Sequence, residues 1–550
     1  MRGVRSSLVL LLACEQPLAD AQQSCASGGQ PSAPAVVTLT DATQETGLPT
    51  RAIGCLAFED FDVDGRADLL LGAIGEADFA VTGPGRLDLY RNQGDETFHA
   101  HAVPLPGATD LTAACDVADF DNDGLPDIVV SVFPGDPDRI ALLRNMGNLT
   151  FEDATSLLPV SVRSRPPPTV VGFVDYDADG WLDLFLNFVP ASHLHPDQIA
   201  CEATDDDFTC HLPDDAGLPP PGALLRNHDG VFAELPAPSS SRTNVIGFLD
   251  WDGDGFIDVF ASNDFASNTL WRNVDGSGRF EDIAGGLGLG RYNHGMGSAF
   301  GDFDRDGRWD LYVADAGPDQ FYFGLPDGTM EDRAARLGIG EWTRFHSGWA
   351  PLAADFNQDG RLDLFVVNSA LVGSSEQLAD LAAGRPPLRP GPQADYLYVA
   401  NDIGGFNLTL LPHAPGARPM VLVGITAVAD YDGDGDLDIA ELYLAPWTFR
   451  LLRNDTASQG RWLAIDLEGR TVNRDARGAS VELLGGDGVP FDRRAAHGMS
   501  GSVGRSWGTL HFGLGDRDCV QALRVRWPGG GVQEVPGPWP ADRVVQVVEP

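Results

Sequence analysis

The sequence contains no lysine, so all 37 of its basic side chains are arginine. Against them stand 80 acidic residues, which gives a formal net charge of −43 at pH 7. Proteins bind a phosphate backbone through clusters of Lys and Arg, and a chain this acidic offers little such surface. The composition therefore argues against nucleic acid as a partner.

The sequence also lacks any uninterrupted apolar run of the roughly 20 residues that a membrane-spanning helix needs. Its N-terminus has a different pattern, because Arg2 and Arg5 precede the short apolar segment Leu8–Ala13. A basic stretch followed by a short apolar core is typical of an export signal. We therefore predict a protein that is exported from the cytoplasm.

The end of this segment, Leu11–Cys14, resembles the bacterial lipobox, in which the cysteine is lipidated and becomes the mature N-terminus. On this interpretation residues 1–13 are a signal peptide, Cys14 carries the lipid, and residues 14–35 form a linker. Ordinary secretion with cleavage near Ala19 or Ala21, and no export at all, remain open. The prediction is an extracellular protein or a cell-surface or outer-membrane lipoprotein, which meets a membrane only through its lipid.

Aspartate, in contrast, is abundant and recurs in a nine-residue pattern. The segment Asp250–Asp258 (DWDGDGFID) is one of seven near-copies with Gly at position 6 and acidic residues at positions 1, 3, 5 and 9. The single exception is Asn357, which still offers a side-chain oxygen. Calcium takes six to eight oxygen ligands, and a tight loop supplies them from alternate side chains and a backbone carbonyl. The pattern predicts up to seven Ca²⁺ ions.

The predicted metal ligands are the following: Asp60, Asp62, Asp64 and Asp68; Asp119, Asp121, Asp123 and Asp127; Asp175, Asp177, Asp179 and Asp183; Asp250, Asp252, Asp254 and Asp258; Asp302, Asp304, Asp306 and Asp310; Asp355, Asn357, Asp359 and Asp363; Asp430, Asp432, Asp434 and Asp438.

Two alternatives to these loops can be weighed. The EF-hand begins in the same way, but it requires a bidentate Glu at position 12 and a helix on each side. Only the last copy has an acid there, Glu441, and every copy runs into an apolar, strand-like segment. Acidic turns without metal would leave four crowded carboxylates to repel one another. The sequence therefore favours calcium loops between β-strands.

Successive motifs begin 59, 56, 75, 52, 53 and 75 residues apart, which is the period of propeller blades. Each repeat reads as a strand, the acidic loop, a second strand, a third strand ending in Arg-Asn in most copies, and a fourth. The seventh repeat lacks a fourth strand, and Val37–Thr43 is an unused copy that would close the ring. We predict an all-β fold: a seven-bladed β-propeller with calcium-binding loops (36–456), followed by a small β-rich C-terminal domain (460–550).

Cysteine is scarce, with seven residues in the chain. Cys201 and Cys210 bracket an acidic loop and are the best candidates for a disulfide. Cys55 and Cys115 lie five and four residues before their motifs, so they are predicted to face each other on neighbouring strands. Free buried thiols are the alternative for these two and for Cys519.

The motifs resemble a known combination of domains. The repeats, with the phrases Ala261–Asp264 and Gly295–Asp302, resemble the FG-GAP (VCBS-type) family of integrin-like β-propellers. The tail segments Asn473–Ala479, Leu510–Gly515 and Val525–Gly530 resemble the ASPIC and UnbV-type domain, a pairing found in the cartilage acidic protein-like family. One departure is Ala476, where relatives often have Gly. The resemblance implies export, structural calcium and a binding role at a surface.

Catalytic motifs are absent from the sequence: there is no G-x-S-x-G, no H-E-x-x-H and no phosphate loop. His294 and His346 lie eight and nine residues before their motifs, so they are predicted at similar places on inner strands. A zinc site would need three or four such ligands to converge, and polar residues that line the channel are the simpler interpretation.

The sequence therefore favours a binding or adhesion scaffold for an extracellular protein or a glycan, with structural calcium and no catalytic residue. The two longest intervals carry inserts, at about 190–221 and 369–395, and long loops on a rigid scaffold are common recognition sites. Two alternatives stay open. One is an enzyme acting on a polysaccharide or a secondary metabolite, with its site in the propeller mouth or the first insert. The other is a multivalent lectin.

Overall fold

The computed structural model describes residues 36–52, 54–72, 86–106, 111–133, 140–188, 200–203, 208–211, 222–238, 243–343, 346–370, 394–413, 424–443, 448–457, 460–496, 504–506 and 508–550. The predicted signal peptide, Cys14, the linker and most of both inserts lie outside these residues. Helix is limited in them to α1 (Val160–Arg163), α2 (Ala284–Leu287), α3 (Ile339–Thr343) and two 3₁₀ turns (Thr155–Leu157 and Pro528–Gly530). The all-β prediction is confirmed. None of the described helices has the length and apolar character to cross a membrane.

Of the first thirty strands, 28 form seven four-stranded antiparallel units, which we number as blades 1–7, and the other two form a separate hairpin. The first described strand is β1 (Leu39–Asp41). Blade 1 is β2 (Leu56–Glu59), β3 (Asp68–Gly72), β4 (Arg86–Asn92) and β5 (Phe98–Pro104). Blade 2 is β6 (Leu111–Ala118), β7 (Asp127–Phe133), β8 (Ile140–Asn145) and β9 (Phe151–Asp153). Blade 3 is β10 (Val170–Val174), β11 (Asp183–Asn187), β14 (Ala223–His228) and β15 (Val231–Pro236), with the hairpin β12 (Ala200–Ala203) and β13 (Phe208–His211) between β11 and β14.

The remaining blades repeat this order. Blade 4 is β16 (Thr243–Leu249), β17 (Asp258–Ser267), β18 (Thr269–Asn273) and β19 (Phe280–Asp282). Blade 5 is β20 (Tyr292–Gly301), β21 (Asp310–Asp315), β22 (Gln320–Gly324) and β23 (Met330–Asp332). Blade 6 is β24 (His346–Ala354), β25 (Asp363–Ala370), β26 (Ala394–Ala400) and β27 (Phe406–Pro412). Blade 7 is β28 (Gly424–Ala429), β29 (Asp438–Tyr443) and β30 (Thr448–Asn454), completed by β1.

The first strand of each blade contacts the first strand of the next, and β28 of blade 7 contacts β2 of blade 1. The units therefore close into a ring around these inner strands. The second strands read as continuous apolar runs because both of their faces are covered: Leu69, Leu70 and Leu71 are all buried. The hydrophobic core lies between neighbouring blades, where these runs pack against one another.

The ring is closed by the two ends of the repeat region, as the unused copy at the N-terminus predicted. β1 pairs with β30, with Leu39 opposite Asn454 and Asp41 opposite Leu452. The hydrogen bond from Ala42 N to Leu451 O (2.9 Å) continues this pairing. Supplying the last strand from the opposite end of the repeats removes an exposed sheet edge that would invite aggregation.

An asparagine at the end of the third strand joins neighbouring blades. In blade 2, Asn145 Nδ2 donates to Pro126 O of its own loop (3.1 Å) and to Phe61 O of blade 1 (3.0 Å). Asn92, Asn227, Asn273 and Asn454 make the same pair of bonds in blades 1, 3, 4 and 7. Blades 5 and 6 have Gly324 and Ala400 at this position and lack the amide. We call these side chains the staple asparagines.

The C-terminal domain packs two sheets against each other. One contains β31 (Arg461–Glu468), β35 (Leu510–Gly515) and β38 (Val544–Val548); the other contains β32 (Ser480–Leu484), β33 (Pro490–Ala495), β36 (Cys519–Arg526) and β37 (Val532–Pro540). Its core includes Leu463, Phe512 and Leu523. The short strand β34 (Gly504–Arg505) leaves this domain and pairs in parallel with β2 of blade 1. The two domains therefore share a sheet.

Cysteine pairing follows the sequence prediction for the first two blades. Cys55 and Cys115 form a disulfide with a Cα–Cα distance of 5.3 Å, and both residues are buried. Cys519 is disulfide-bonded as well, so the free-thiol alternative is wrong for all three. The register of β12 and β13 places Cys201 opposite Cys210, which is the arrangement that the predicted disulfide requires.

The staple asparagines predict a local stability effect. Asn145→Ala leaves Phe61 O and Pro126 O without this donor; the bond to Phe61 O is buried and the bond to Pro126 O is partly buried. We expect a loss of about 2 kcal/mol in the free energy of unfolding, measured in urea at constant calcium. The control Asn407→Ala removes an exposed amide whose oxygen accepts one 3.3 Å bond from Asn401 and should change stability little. Equal effects of the two substitutions would contradict the stapling role.

Candidate metal centres

Each acidic motif forms the loop between the first and second strands of a blade, so all seven loops lie on one face of the ring. We call this the loop face. In blade 2, the carboxylate of Asp119 accepts hydrogen bonds from Asp123 N (2.9 Å) and Gly124 N (2.7 Å). The bond from the Gly at position 6 to the Asp at position 1 recurs in every loop. The first carboxylate therefore fixes the tight turn around which the other acids are arranged.

Two residues of each loop have left-handed backbone conformations. The glycine at position 6 has a φ of +87° in the first loop, as the sequence predicted. Position 4 is left-handed as well, with a φ of +57° at Val63 and +54° at Ala178, although only two of the seven copies have Gly there. Non-glycine residues are disfavoured in this conformation by roughly 1–2 kcal/mol each. Other interactions of the loops must offset that strain.

The aspartate at position 9 ties the loop to the third strand. In blade 2, Asp127 Oδ1 accepts from Asn145 N (2.7 Å) and Oδ2 accepts from Phe120 N (3.2 Å). The six other blades repeat both bonds. Burial, together with the charges of Asp121 and Asp119, raises the pKa of Asp127 to about 9, although its hydrogen bonds to Asn145 N and Phe120 N act to lower it. A buried carboxylate in this position requires a nearby positive charge to remain ionised.

The acids of the loops converge. In blades 1, 2 and 3 the carboxylates at positions 1, 3 and 9 have oxygens within 4.8 Å of one another, and in blades 4 and 5 those at positions 1, 3 and 5 do. One oxygen of each position-3 acid in blades 1–3 is buried without a hydrogen-bond partner: Oδ1 of Asp62, Asp121 and Asp177. Buried polar atoms of this kind are rare unless something satisfies them. A hard, oxygen-seeking cation such as Ca²⁺ fits this donor set.

Arginines from the third strands supply part of the missing positive charge. Arg91 Nη2 lies 2.8 Å from Asp64 Oδ2, and Arg144 Nη2 lies 2.5 Å from Asp121 Oδ2. In blade 3, Arg226 Nε lies 2.7 Å from Asp177 Oδ2. These arginines are the third residue of the Leu-x-Arg-Asn phrases, which the sequence analysis used only to locate strands. A second guanidinium approaches two of these loops, that of Arg66 at Asp64 in blade 1 and that of Arg474, 3.8 Å from Asp119 Oδ2, in blade 2. The four carboxylates of each loop still outnumber the arginines, so each loop remains negative.

Glu441, the acid at position 12 of the last copy, lies outside the loop. It is fully buried in β29 and forms an ion pair with Arg450 on β30. All seven loops are flanked by strands. The EF-hand alternative is therefore wrong.

The C-terminal domain sits on the loop face, and the tail phrase Asn473–Ala479 contacts blades 2 and 3. Asn473 Nδ2 donates to Asp175 Oδ2 (3.3 Å), and Asp475 Oδ2 accepts from Asp119 N (3.2 Å). Arg477 is 7% exposed and donates to Asp116 Oδ2 (2.7 Å), Phe173 O (3.0 Å) and Val117 O. Two of the predicted metal-ligating acids thus also anchor the second domain.

The other two tail phrases contact further loops. His511 Nε2 bonds to Gly435 O (2.9 Å) in the loop of blade 7, and Gly529 N donates to Gly255 O (2.8 Å) in that of blade 4. The approach is close, because a Cβ on Gly255 would lie 2.5 Å from Gly530 N. In blade 4, glycine at position 6 is therefore required both for the turn and for the close approach of the C-terminal domain. No sequence pattern indicated this second role.

The two histidines lie at matching places, as predicted. His294 and His346 are both 6% exposed, near the starts of β20 and β24 at the end of the ring opposite the loop face. Asp264 Oδ1 is 3.0 Å from His294 Nδ1, and Tyr396 Oη is 2.9 Å from His346 Nδ1. Burial lowers the pKa of His294, but the hydrogen bond and charge of Asp264 outweigh it and the pKa is raised. The two rings are packed side chains rather than the lining of a water-filled mouth.

The docking of the tail phrase can be tested at Arg477. Arg477→Gln removes the nearer of the two arginine charges that compensate the partly buried Asp116, the other being Arg505 at 3.6 Å. We expect a loss of about 2 kcal/mol together with faster hydrogen exchange in β34 and the Asn473–Ala479 segment. Arg470→Gln changes an exposed arginine just before this segment and should leave both unchanged. Exchange that stays slow in Arg477→Gln would contradict the role assigned to this contact.

Family models of known proteins match both the propeller and the C-terminal domain. The FG-GAP-like repeat model matches residues 75–130, 250–313 and 302–366. The ASPIC and UnbV model matches residues 469–550. Cartilage acidic protein 1 of Xenopus tropicalis is 28% identical over 286 residues, which are 50% of this chain and 40% of that protein. The Mus musculus protein of the same name is 28% identical over 284 residues, with the same coverage. The match thus spans less than half of these relatives.

Solved structures give weaker likenesses. The rhamnogalacturonan lyase YesW aligns with a TM-score of 0.36 and 13% identity, covering 76% of this chain and 74% of that one. An Agrocybe aegerita lectin described as recognising non-reducing terminal N-acetylglucosamine aligns with a TM-score of 0.26 and 16% identity, covering 78% and 82%. TM-scores this low transfer no activity to the chain. The family matches identify it instead: the chain carries FG-GAP-like repeats on a β-propeller and ends in an ASPIC and UnbV domain.

Proposed function

We propose that the protein is an exported, calcium-stabilised scaffold that binds an extracellular protein or a glycan. The observation that carries the calcium part is the repeated convergence of three carboxylates around a buried, unpartnered oxygen, at Asp62, Asp121 and Asp177. The positions 1, 3, 5 and 9 of the loops, with a backbone carbonyl, would hold one ion in each blade. The ion supplies the positive charge that the arginines leave unmatched.

Calcium in these loops would act on the fold rather than on a substrate. The position-9 acids connect each loop to the third strand, so an ion that holds them also holds the blade together. Ligand binding to the folded state alone stabilises it by about 2.7 kcal/mol per site at 100 times the dissociation constant. Several occupied loops would stabilise the ring and the surface on which the C-terminal domain rests.

The geometry favours one face of the ring for a partner. The C-terminal domain occupies the loop face, through contacts such as Arg477 with Asp116. Both inserts leave from the opposite end of the blades, between Asn187 and Ala223 in blade 3 and between Ala370 and Ala394 in blade 6. The buried Cys55–Cys115 disulfide suits an oxidising compartment outside the cytoplasm. We place the partner-binding surface at the insert end.

The calcium part is tested by metal counting and thermal melting of the chain after chelation and after calcium is returned. We expect a large fall in Tm on chelation and several bound ions, up to one per loop. The triple variant Asp62→Ala, Asp121→Ala and Asp177→Ala should bind three fewer ions, because each substitution removes a converging oxygen. The control Asp516→Ala removes an exposed acid of the C-terminal domain. No calcium, or no change in stability on chelation, would contradict the proposal.

The binding part is tested on arrays of glycans and of extracellular proteins, with calcium and with chelator. A variant in which residues 190–221 are replaced by a short Gly-Ser loop should fold with an unchanged Tm, since the strands described in this segment do not pair with the four-stranded sheet of blade 3. We expect this variant to lose binding of the partner. A second variant, in which residues 371–393 are replaced in the same way, is measured in parallel. Partner binding that persists without either insert and without calcium would refute the assignment of the binding surface to the insert end.

A further inference from the structure

A cavity of about 190 Å³ lies between the C-terminal domain and the ring. Its floor comes from the loop-face ends of the inner strands, through Phe300 of blade 5, Leu352 of blade 6 and Val428 of blade 7. Its roof comes from the C-terminal domain, where β33 contributes Arg493 and Arg494. The cavity therefore joins an apolar wall to a cationic one.

The cationic wall is held in a fixed geometry. The guanidinium carbon of Arg493 lies 3.9 Å from the ring centroid of Trp309, which is itself buried. That of Arg494 lies 5.3 Å from the ring of Phe512, and its Nη1 pairs with Asp492. Stacking on an aromatic face leaves the edge of a guanidinium free to form the paired bonds that suit a carboxylate.

Several donors around this cavity have no partner among the described residues. Arg493 Nε, Arg494 Nη2 and Trp309 Nε1 are buried and donate no hydrogen bond to the described residues. Leaving a buried donor unsatisfied costs about 1–3 kcal/mol, and more when the group is charged. Three such donors beside one cavity indicate that an acceptor belongs there.

The surrounding charges determine what kind of acceptor is favoured. Asp492 neutralises one of the two arginines. Glu482 also acts on Arg493, but its own charge is shared with Arg524 and Arg526. The other acids belong to the loops: Asp250 and Asp302 act on Arg493, Asp355 acts on Arg494, and Asp430 lines the cavity. Calcium in those loops would cancel the charges of these four loop acids, so this one step rests on the proposed function. With those acids neutralised, the wall is net positive and attracts an anion.

We propose that this interdomain cavity is a binding site for a small organic carboxylate with an apolar body about the size of benzoate. Arg493 and Arg494 hold the carboxylate, and the body lies against Phe300 and Leu352. The volume is smaller than the roughly 300–1,000 Å³ of pockets for drug-sized ligands, which limits the occupant to a small metabolite. Because the site is formed by both domains, its occupant would also strengthen the contact between them.

The test uses the full mature chain with calcium, and benzoate as the probe. Titration calorimetry should show saturable binding at one site, and benzamide, which has the same shape without the charge, should bind at least tenfold more weakly. Arg493→Gln and Arg494→Gln should each weaken benzoate binding at least tenfold. Arg470→Gln, which changes an exposed arginine of the same domain that does not line the cavity, is the matched control and should have no effect.

Three outcomes would decide against the site. Absent benzoate binding, equal binding of benzamide, or unchanged binding in both glutamine variants would show a cavity that holds water only. Arg494→Lys keeps the charge and loses the paired geometry, so its intermediate affinity supports the assignment if Arg494→Gln proves unstable. Calcium content is counted in every sample, so that loss of metal is distinguished from loss of the carboxylate site.

Discussion

The structure depends on a buried carboxylate at position 9 of each acidic loop. Asp127, for example, accepts one backbone N–H from its own loop and another from the third strand, so a single side chain holds three segments of a blade together. The same acid is buried among other acids, which raises its pKa. The position-9 carboxylate thus holds each blade together, although burying it as an isolated charge is unfavourable. A cation in the loop would resolve this conflict, and the repetition in seven blades would multiply its effect.

The loops also form the surface that receives the C-terminal domain. Asp119 turns its own loop through hydrogen bonds to the backbone, and its N–H donates to Asp475 of the tail. Loop shape and domain docking therefore use the same few atoms. A change in metal content would act on both, because a loop that loses its turn also displaces the backbone groups that the tail recognises. β34 of the C-terminal domain pairs with β2 of blade 1, so backbone hydrogen bonds also join the two domains.

The repeat spacing was enough to predict the all-β class and the loop positions, because both depend on residues close together in sequence. The strand that closes the ring was predicted in another way: it pairs with the far end of the repeat region, but it matches the copy that the seventh repeat lacks. The Cys55–Cys115 disulfide followed from the same reasoning, since both precede a motif by nearly the same distance. Long-range roles were missed. Asn145 bonds to a carbonyl 84 residues away, and Arg477 to a carboxylate 361 residues away, so no local pattern indicates either partner. Left-handed Val63 was missed because valine disfavours that conformation.

The ring departs from its own repeat between blades 4, 5 and 6. Gly324 and Ala400 stand where the staple asparagines of the other blades bridge to the preceding loop, so these two interfaces lack that bond. Direct strand pairing occurs at the same two places: β17 pairs with β20 across the first, and Ala316 bridges to Ser347 across the second. The bridging has therefore moved from the loop face to the opposite end of the blades. Above these interfaces lies the cavity that Arg493 and Arg494 border. The two interfaces without a staple asparagine are therefore among those that border this cavity.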